Sequence, residues 1–133
     1  MPRPVRDALL AHARAEAPNE CCGLLVGRGT SVEASAPVRN ADPNPSVRYL
    51  IDPAGHIALN RRLRGTGQSI VGCYHSHPHS APRPSASDVA GAYYSEFVWV
   101  IVSLGPQARA RLRAWRIVDG RVHAVRLVLA GAR

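Results

Sequence analysis

A short apolar run that ends in two histidines constrains this chain more than any other feature. Ser69-Ile70-Val71-Gly72-Cys73-Tyr74 is apolar and partly β-branched, which predicts a strand, and it runs directly into His75-Ser76-His77-Pro78. Residues i and i+2 of a strand face the same side. His75 and His77 therefore point together from the strand's end, and Ser76 points away. Pro78 has no N–H for a ladder and closes the strand. Further along comes Ser85-Ala86-Ser87-Asp88, so the whole reads H-S-H-P-x(6)-S-x-x-D. Two imidazoles and a carboxylate make a metal-ligand set. Zinc accepts His nitrogen and Asp oxygen, and catalytic zinc sites use three protein ligands and keep a fourth position for water.

These residues have second readings. A lone H-x-H is compatible with two exposed polar residues at a strand end. Ser85 to Asp88 also matches the capping box, in which Ser85 caps a helix and Asp88 reaches back. The two upstream histidines favour the ligand role for Asp88, and a helix starting here would hold it in place on either reading. Cys73 shares the metal-side face. A small buried core residue is the commoner role of a free Cys, with competition for zinc or oxidation as the alternative. His12, His56, His79 and His123 belong to no constellation.

The motif resembles that of the JAMM (MPN-plus) metallopeptidases, whose signature is an upstream Glu, then H-[ST]-H-P, then Ser and Asp at this spacing. Pro18-Asn19-Glu20-Cys21-Cys22-Gly23-Leu24-Leu25-Val26-Gly27 is similar to the family's upstream element. The resemblance implies that Glu20 is the general acid/base; on its own surroundings it would be a solvated carboxylate. It implies that Ser85 donates to the oxyanion of the tetrahedral intermediate, that His75, His77 and Asp88 hold one zinc ion, and that the fold is a curved sheet between helices related to the cytidine deaminases. The chain looks most like the small bacterial members that act on ubiquitin-like sulfur-carrier proteins. Those cut after a C-terminal Gly-Gly and release cysteine or a short extension. The Ala11-His12-Ala13-Arg14 opening and Ile117-Val118-Asp119-Gly120 are weaker likenesses to that subgroup.

Length and composition bound the alternatives. A chain of 133 residues with 46% apolar content fits one soluble globular domain, 1–133. No apolar stretch is long enough to span a membrane, and no apolar signal-peptide core is visible near the start. Three cysteines, two of them adjacent, suit reduced thiols in the cytoplasm better than a disulfide framework. The net charge is +8, and every basic side chain besides histidine is Arg. Arginine's GC-rich codons are the bland explanation, but the cations also concentrate toward the C-terminal end. Arg109, Arg111 and Arg113 alternate along one face with Trp115 beside them. Such a row can meet an acidic protein partner or simply be solvated.

Three rivals remain. A zinc nucleobase deaminase needs H-x-E and P-C-x-x-C, which are absent. A basic nucleic-acid- or protein-binding module without catalysis fits the arginines, but no recognition motif accompanies them and a complete ligand set would go unused. A non-catalytic scaffold would be expected to lose ligands.

The predicted order is a helix over 4–17, strands at Cys21–Val26 and Ser31–Val38, a loop at Asn40–Pro45 and a short strand at Tyr49–Ile51. A helix follows, capped by Asp52 with Pro53 at its first position and ended by Gly65 and Gly67. Then come the Ser69–His77 strand, a short helix over 86–94, a buried strand at Phe97–Val102, and a hairpin of Arg109–Val118 and Val122–Leu129 turning at Asp119-Gly120. The sum is an α/β or α+β domain, a mixed sheet flanked by two or three helices.

Overall fold

The computed structural model describes residues 1–105 and 110–130. Six strands form one sheet in the order β2-β1-β3-β4-β5-β6. They are β1 (Cys22–Arg28), β2 (Ser31–Val38), β3 (Ser69–His77), β4 (Val98–Ser103), β5 (Arg111–Val118) and β6 (Arg121–Val125). The helices are α1 (Arg3–Glu16), α2 (Pro53–Leu63) and α3 (Ala86–Ala90). β3 pairs with β4 in parallel; the other neighbours are antiparallel.

Period-2 alternation along the strands divides the core in two. Leu25, Tyr74, Val100, Val102 and Ala114 face α1, where they meet Val5, Leu9 and Ala13. Those three recur at helical spacing, which is why α1 forms and lies on this face. Leu24, Cys73, Trp99, Ile101, Trp115 and Ile117 face the other way, against Leu59 of α2 and the segment around α3. Each fully buried Leu or Phe stabilises by about 1.5–3 kcal/mol relative to exposure. Two apolar faces explain the run of buried residues through β1, β3 and β4.

Local chemistry sets the element ends. Asp52 accepts from the Ala54 N–H at 3.1 Å, with Pro53 opening α2. Asp119 and Gly120 both have positive φ, 51° and 74°, as a two-residue type I′ hairpin turn requires. β2 and β3 have the predicted bounds.

Other expectations need correction. Tyr49–Ile51 is no strand; only an isolated bridge joins Ile51 to Asn40. Two backbone bonds make that bridge, Ala41 N–H to the Leu50 carbonyl at 2.8 Å and Asp52 N–H to the Arg39 carbonyl at 3.2 Å; beyond it the Asn40 side chain takes over, accepting from Leu50 N–H and donating to the Arg48 carbonyl, each at 3.0 Å. α3 ends at Ala90, where Gly91 caps it and Tyr94 stacks on Phe97 instead of continuing the helix. β6 stops at Val125 because the chain then pairs with the N-terminus, Ala130 N–H donating to the Met1 carbonyl at 2.9 Å. Arg109 lies outside the described residues, and β5 begins at Arg111.

Gly72 sits opposite Val98 in the parallel pair, where a Cβ would run into the Val98 carbonyl oxygen. Backbone cannot rotate aside as a side chain can. Gly72→Ala is expected to cost about 1–3 kcal/mol, read as a lower urea midpoint. An unchanged midpoint would mean that the strands tolerate a wider spacing here.

Candidate active site

The site forms where β1 and β3 end together. Cys22 pairs with His75, and continuing that antiparallel register by two residues sets Glu20 opposite His77. Alternation sends Glu20, Cys22, Cys73, His75 and His77 to the α2 side. Ser76 turns the other way, and its Oγ accepts from the Cys21 N–H at 2.8 Å. Glu20 is anchored through its backbone: its N–H donates to the Pro45 carbonyl at 2.8 Å, and its carbonyl accepts from Asn40 at 3.0 Å.

α3 brings the third group. Ser85 and Asp88 form the reciprocal capping box: Ser85 Oγ accepts from Asp88 N–H at 3.1 Å, and Asp88 Oδ2 accepts from Ser85 N–H at 2.9 Å. The same Asp88 oxygen lies 3.1 Å from His75 Nε2 and 3.1 Å from His77 Nε2, and those two nitrogens are 3.1 Å apart. The cap and the convergence on the histidines thus coexist in one carboxylate.

This triangle tests whether a metal ion fits. Each edge needs one hydrogen if it is to be a hydrogen bond. His77 Nδ1–H donates to the Ala81 carbonyl at 2.8 Å, so neutral His77 turns a bare lone pair toward the other two atoms. An ionised Asp88 also brings only lone pairs. Two protonated Nε2 atoms would satisfy the carboxylate but set N–H against N–H on the third edge. A cation between the three atoms satisfies them together. Tetrahedral zinc with bonds of about 2.0–2.1 Å would set its ligand atoms about 3.3 Å apart, close to the 3.1 Å edges here.

The Glu20 carboxylate stands beside this triangle. One of its oxygens lies within 4.8 Å of a nitrogen from each histidine, a looser relation than the Asp88 contacts. Among the described residues, Glu20 Oε1 and His75 Nδ1 are buried without a hydrogen-bond partner. Burial pushes the Glu20 carboxyl up to about 7; His77 pulls it down, while Asp88 and Asp42 add to the rise. Burial likewise lowers His75. Burial also opposes the charged forms of His77 and Asp88. Their mutual hydrogen bond, helped by Ala81, nevertheless raises His77, and bonds from both histidines and Ser85 hold Asp88 well below the usual carboxylate range.

Several residues that the sequence left without a role support the site. The Tyr49 ring stacks on His75, with centroids 4.1 Å apart. Ser103 Oγ donates to the Ser80 carbonyl. Trp115 Nε1–H donates to the Pro82 carbonyl at 2.9 Å. Trp115 is buried, with Arg83 and Arg113 each 5.9 Å from its ring centroid. It belongs to the core beneath the loop and is not part of an open arginine surface. Cys73 is a buried core residue, 3.9 Å from the Tyr49 hydroxyl, and burial pushes its thiol up. His12 lies on the far face, with Nδ1 2.8 Å from the Tyr74 hydroxyl.

The model of prokaryotic homologs of the JAB domain matches residues 2–118. The chain belongs to the prokaryotic JAB-domain family. The JAMM resemblance read from Glu20 and His75–Asp88 therefore extends over most of the chain. The chain is 38% identical over 116 residues to a protein of Haloferax volcanii named desampylase, covering 83% of this chain and 82% of that one. It is 36% identical over 118 residues to the CysO-cysteine peptidase of Mycobacterium tuberculosis, covering 87% and 80%. A protein of Desulfitobacterium hafniense with a known solution structure superposes with a TM-score of 0.86 at 32% identity, over 97% of this chain and 90% of that one. The mixed sheet with flanking helices is the JAB/MPN fold.

The raised Glu20 carboxyl has a consequence for the metal-free protein. An unfolded chain releases this proton near 4.5, and the fold releases it near 7. The unfolded state therefore binds fewer protons in between, so stability falls as pH rises through this window, by at most about 3 kcal/mol. With chelator present, Glu20→Gln is expected to be more stable than the parent at pH 8 and nearly equal at pH 4.5, by urea denaturation. A difference that stays constant across that range would count against the burial argument.

Proposed function

We propose that the chain is a zinc-dependent JAMM-type peptidase that hydrolyses the peptide or isopeptide bond after the C-terminal Gly-Gly of a ubiquitin-like sulfur-carrier protein, releasing cysteine or a short C-terminal extension. The observation that carries this reading is the convergence of His75, His77 and Asp88 at 3.1 Å with a buried carboxylate beside them. The names of the Haloferax and Mycobacterium relatives favour the substrate class. No described helix is long and apolar enough to cross a membrane. Three buried cysteines, all free of disulfides, suit a reducing compartment, which we take to be the cytoplasm.

On this reading His75, His77 and Asp88 are the metal ligands. Zinc held there would polarise the substrate carbonyl and acidify a water molecule. Glu20 takes a proton from the attacking water and passes it to the leaving amine. Its carboxylate stands beside the triangle, placed to carry a proton in both directions. Ser85 Oγ accepts from the Asp88 N–H and lies 3.3 Å from Ser87 Oγ; with Ser87 as the donor in that contact, the Ser85 hydrogen is left to donate to the carbonyl oxygen as charge develops there. One such donor is worth about 10²–10³ in rate.

Mass spectrometry of carrier proteins extended beyond Gly-Gly, incubated with the zinc-loaded chain, tests the reaction. Cleavage directly after the second glycine is expected. Cleavage elsewhere, or none on any carrier, would reject the substrate assignment.

Elemental analysis and activity together test the roles. One zinc per chain is expected, lost in His75→Ala, His77→Ala and Asp88→Ala. Glu20→Gln should keep zinc and lose about 10²–10⁴ in turnover. Ser85→Ala should keep zinc and slow by about 10²–10³; an unfolded Ser85→Ala would restrict Ser85 to its capping role. An active protein that binds no added zinc would overturn the ligand assignment.

A further inference from the structure

Between the α2 face of the sheet and the segments 42–51 and 91–97 lies a cavity of about 380 Å³. Its buried lining includes Leu24, Cys73, Phe97 and Trp99. Leu50 and Tyr94, about half exposed, stand toward solvent. Asp88 and Ser87 form part of the wall, and so does Tyr49, the residue stacked on His75. The cavity thus shares a side chain with the proposed metal site and lies directly beside it. Its size suits a large side chain or a small ligand.

Its lining describes what it would accept. Asp42 and Arg48 pair with each other at 3.7 Å, and Asp88 already accepts from Ser85 N–H and lies 3.1 Å from both histidines, so a charged guest gains little.

Chain geometry selects the guest. A peptide advances about 3.3–3.6 Å per residue. On the acyl side of a bond after Gly-Gly, the first two residues have no side chain. The nearest side chain there starts two residues away from the reacting carbonyl. On the other side of a peptide bond, the leaving residue branches at the atom next to the scissile nitrogen. A cavity walled by Asp88 is within reach of that residue first.

We infer that this cavity holds the side chain of the leaving residue, and that the enzyme favours a bulky apolar or aromatic residue after Gly-Gly. The inference rests on the Gly-Gly reading above and deepens it. Cysteine or alanine would leave most of the cavity unfilled.

The test uses the zinc-loaded full chain and one carrier ending in Gly-Gly-X, with X as Ala, Cys, Leu, Phe, Tyr or Asp, read as kcat/KM by mass spectrometry. Leu, Phe and Tyr are expected to exceed Ala by at least about tenfold, since even one buried methylene can discriminate that strongly. Asp should rank lowest. Leu50→Arg, at an exposed position, should lower the Phe-to-Ala ratio, and its melting curve checks that it folds. Equal rates for Ala and Phe would overturn the inference. So would a preference that follows the residue before Gly-Gly and ignores X. Failure to cleave any member of the series would reject the Gly-Gly reading and this inference with it, an outcome distinct from cleavage without preference.

Discussion

The parallel pairing of β3 with β4 is the constraint on which the site depends. Parallel neighbours cannot be joined by a tight turn; the chain must travel back along one face of the sheet before re-entering it. Residues 78–97 make that journey and carry α3 with them. The crossover runs on the face to which alternation already sends His75 and His77. Asp88 therefore meets two histidines from β3 through the same connection that builds the middle of the sheet. The antiparallel partner on the other side, β1, supplies Glu20 through its register with β3. Residues far apart in sequence become neighbours because one strand has a parallel neighbour on one side and an antiparallel neighbour on the other.

A crossover loop alone would place Asp88 loosely. Here the loop is held by its carbonyls: Ala81 accepts from His77, Pro82 from Trp115 and Ser80 from Ser103. The first of these bonds also decides which nitrogen of His77 is left to face Asp88, the service that outer partners commonly perform for ligand histidines. β4 and β5 thus reach the site without supplying any of its proposed functional groups. The prolines of this loop suit such an arrangement, since a stretch poor in N–H donors binds to its surroundings through its oxygens.

The legible parts of this chain were those written in local chemistry. β2 and β3, the Asp52 cap of α2, the Asp119-Gly120 turn and the Ser85–Asp88 box all follow from neighbouring residues. His75, His77 and Asp88 could be paired because alternation and spacing are also local. Glu20 was found only through the family's pattern; its burial depends on β3 and on the 40–45 loop, which its own sequence neighbourhood does not reveal. What could not be read depends on contacts across the fold. Tyr49–Ile51 carries strand-forming residues, yet the Asn40 side chain captures its backbone. Trp115 alternates with arginines as a surface residue would, yet the 78–84 loop covers it. Val122–Leu129 is apolar enough for a long strand, yet its second half answers to the N-terminus.

The site itself violates the rule that buried polar groups be satisfied, and this is where function is expected to override stability. The raised His77 and the depressed Asp88 have one cause, the contact between an imidazole and a buried carboxylate, which favours positive charge on the first and negative charge on the second. A metal ion held by these groups competes with protons for the same lone pairs, so binding should strengthen as pH rises. The same added charge would favour ionised Glu20, whose burial otherwise keeps it protonated up to about 7. On the proposed reading, an ion held by the triangle would also ready the carboxylate beside it, and this gives the fold a reason to keep a buried Glu20 with an unpartnered oxygen.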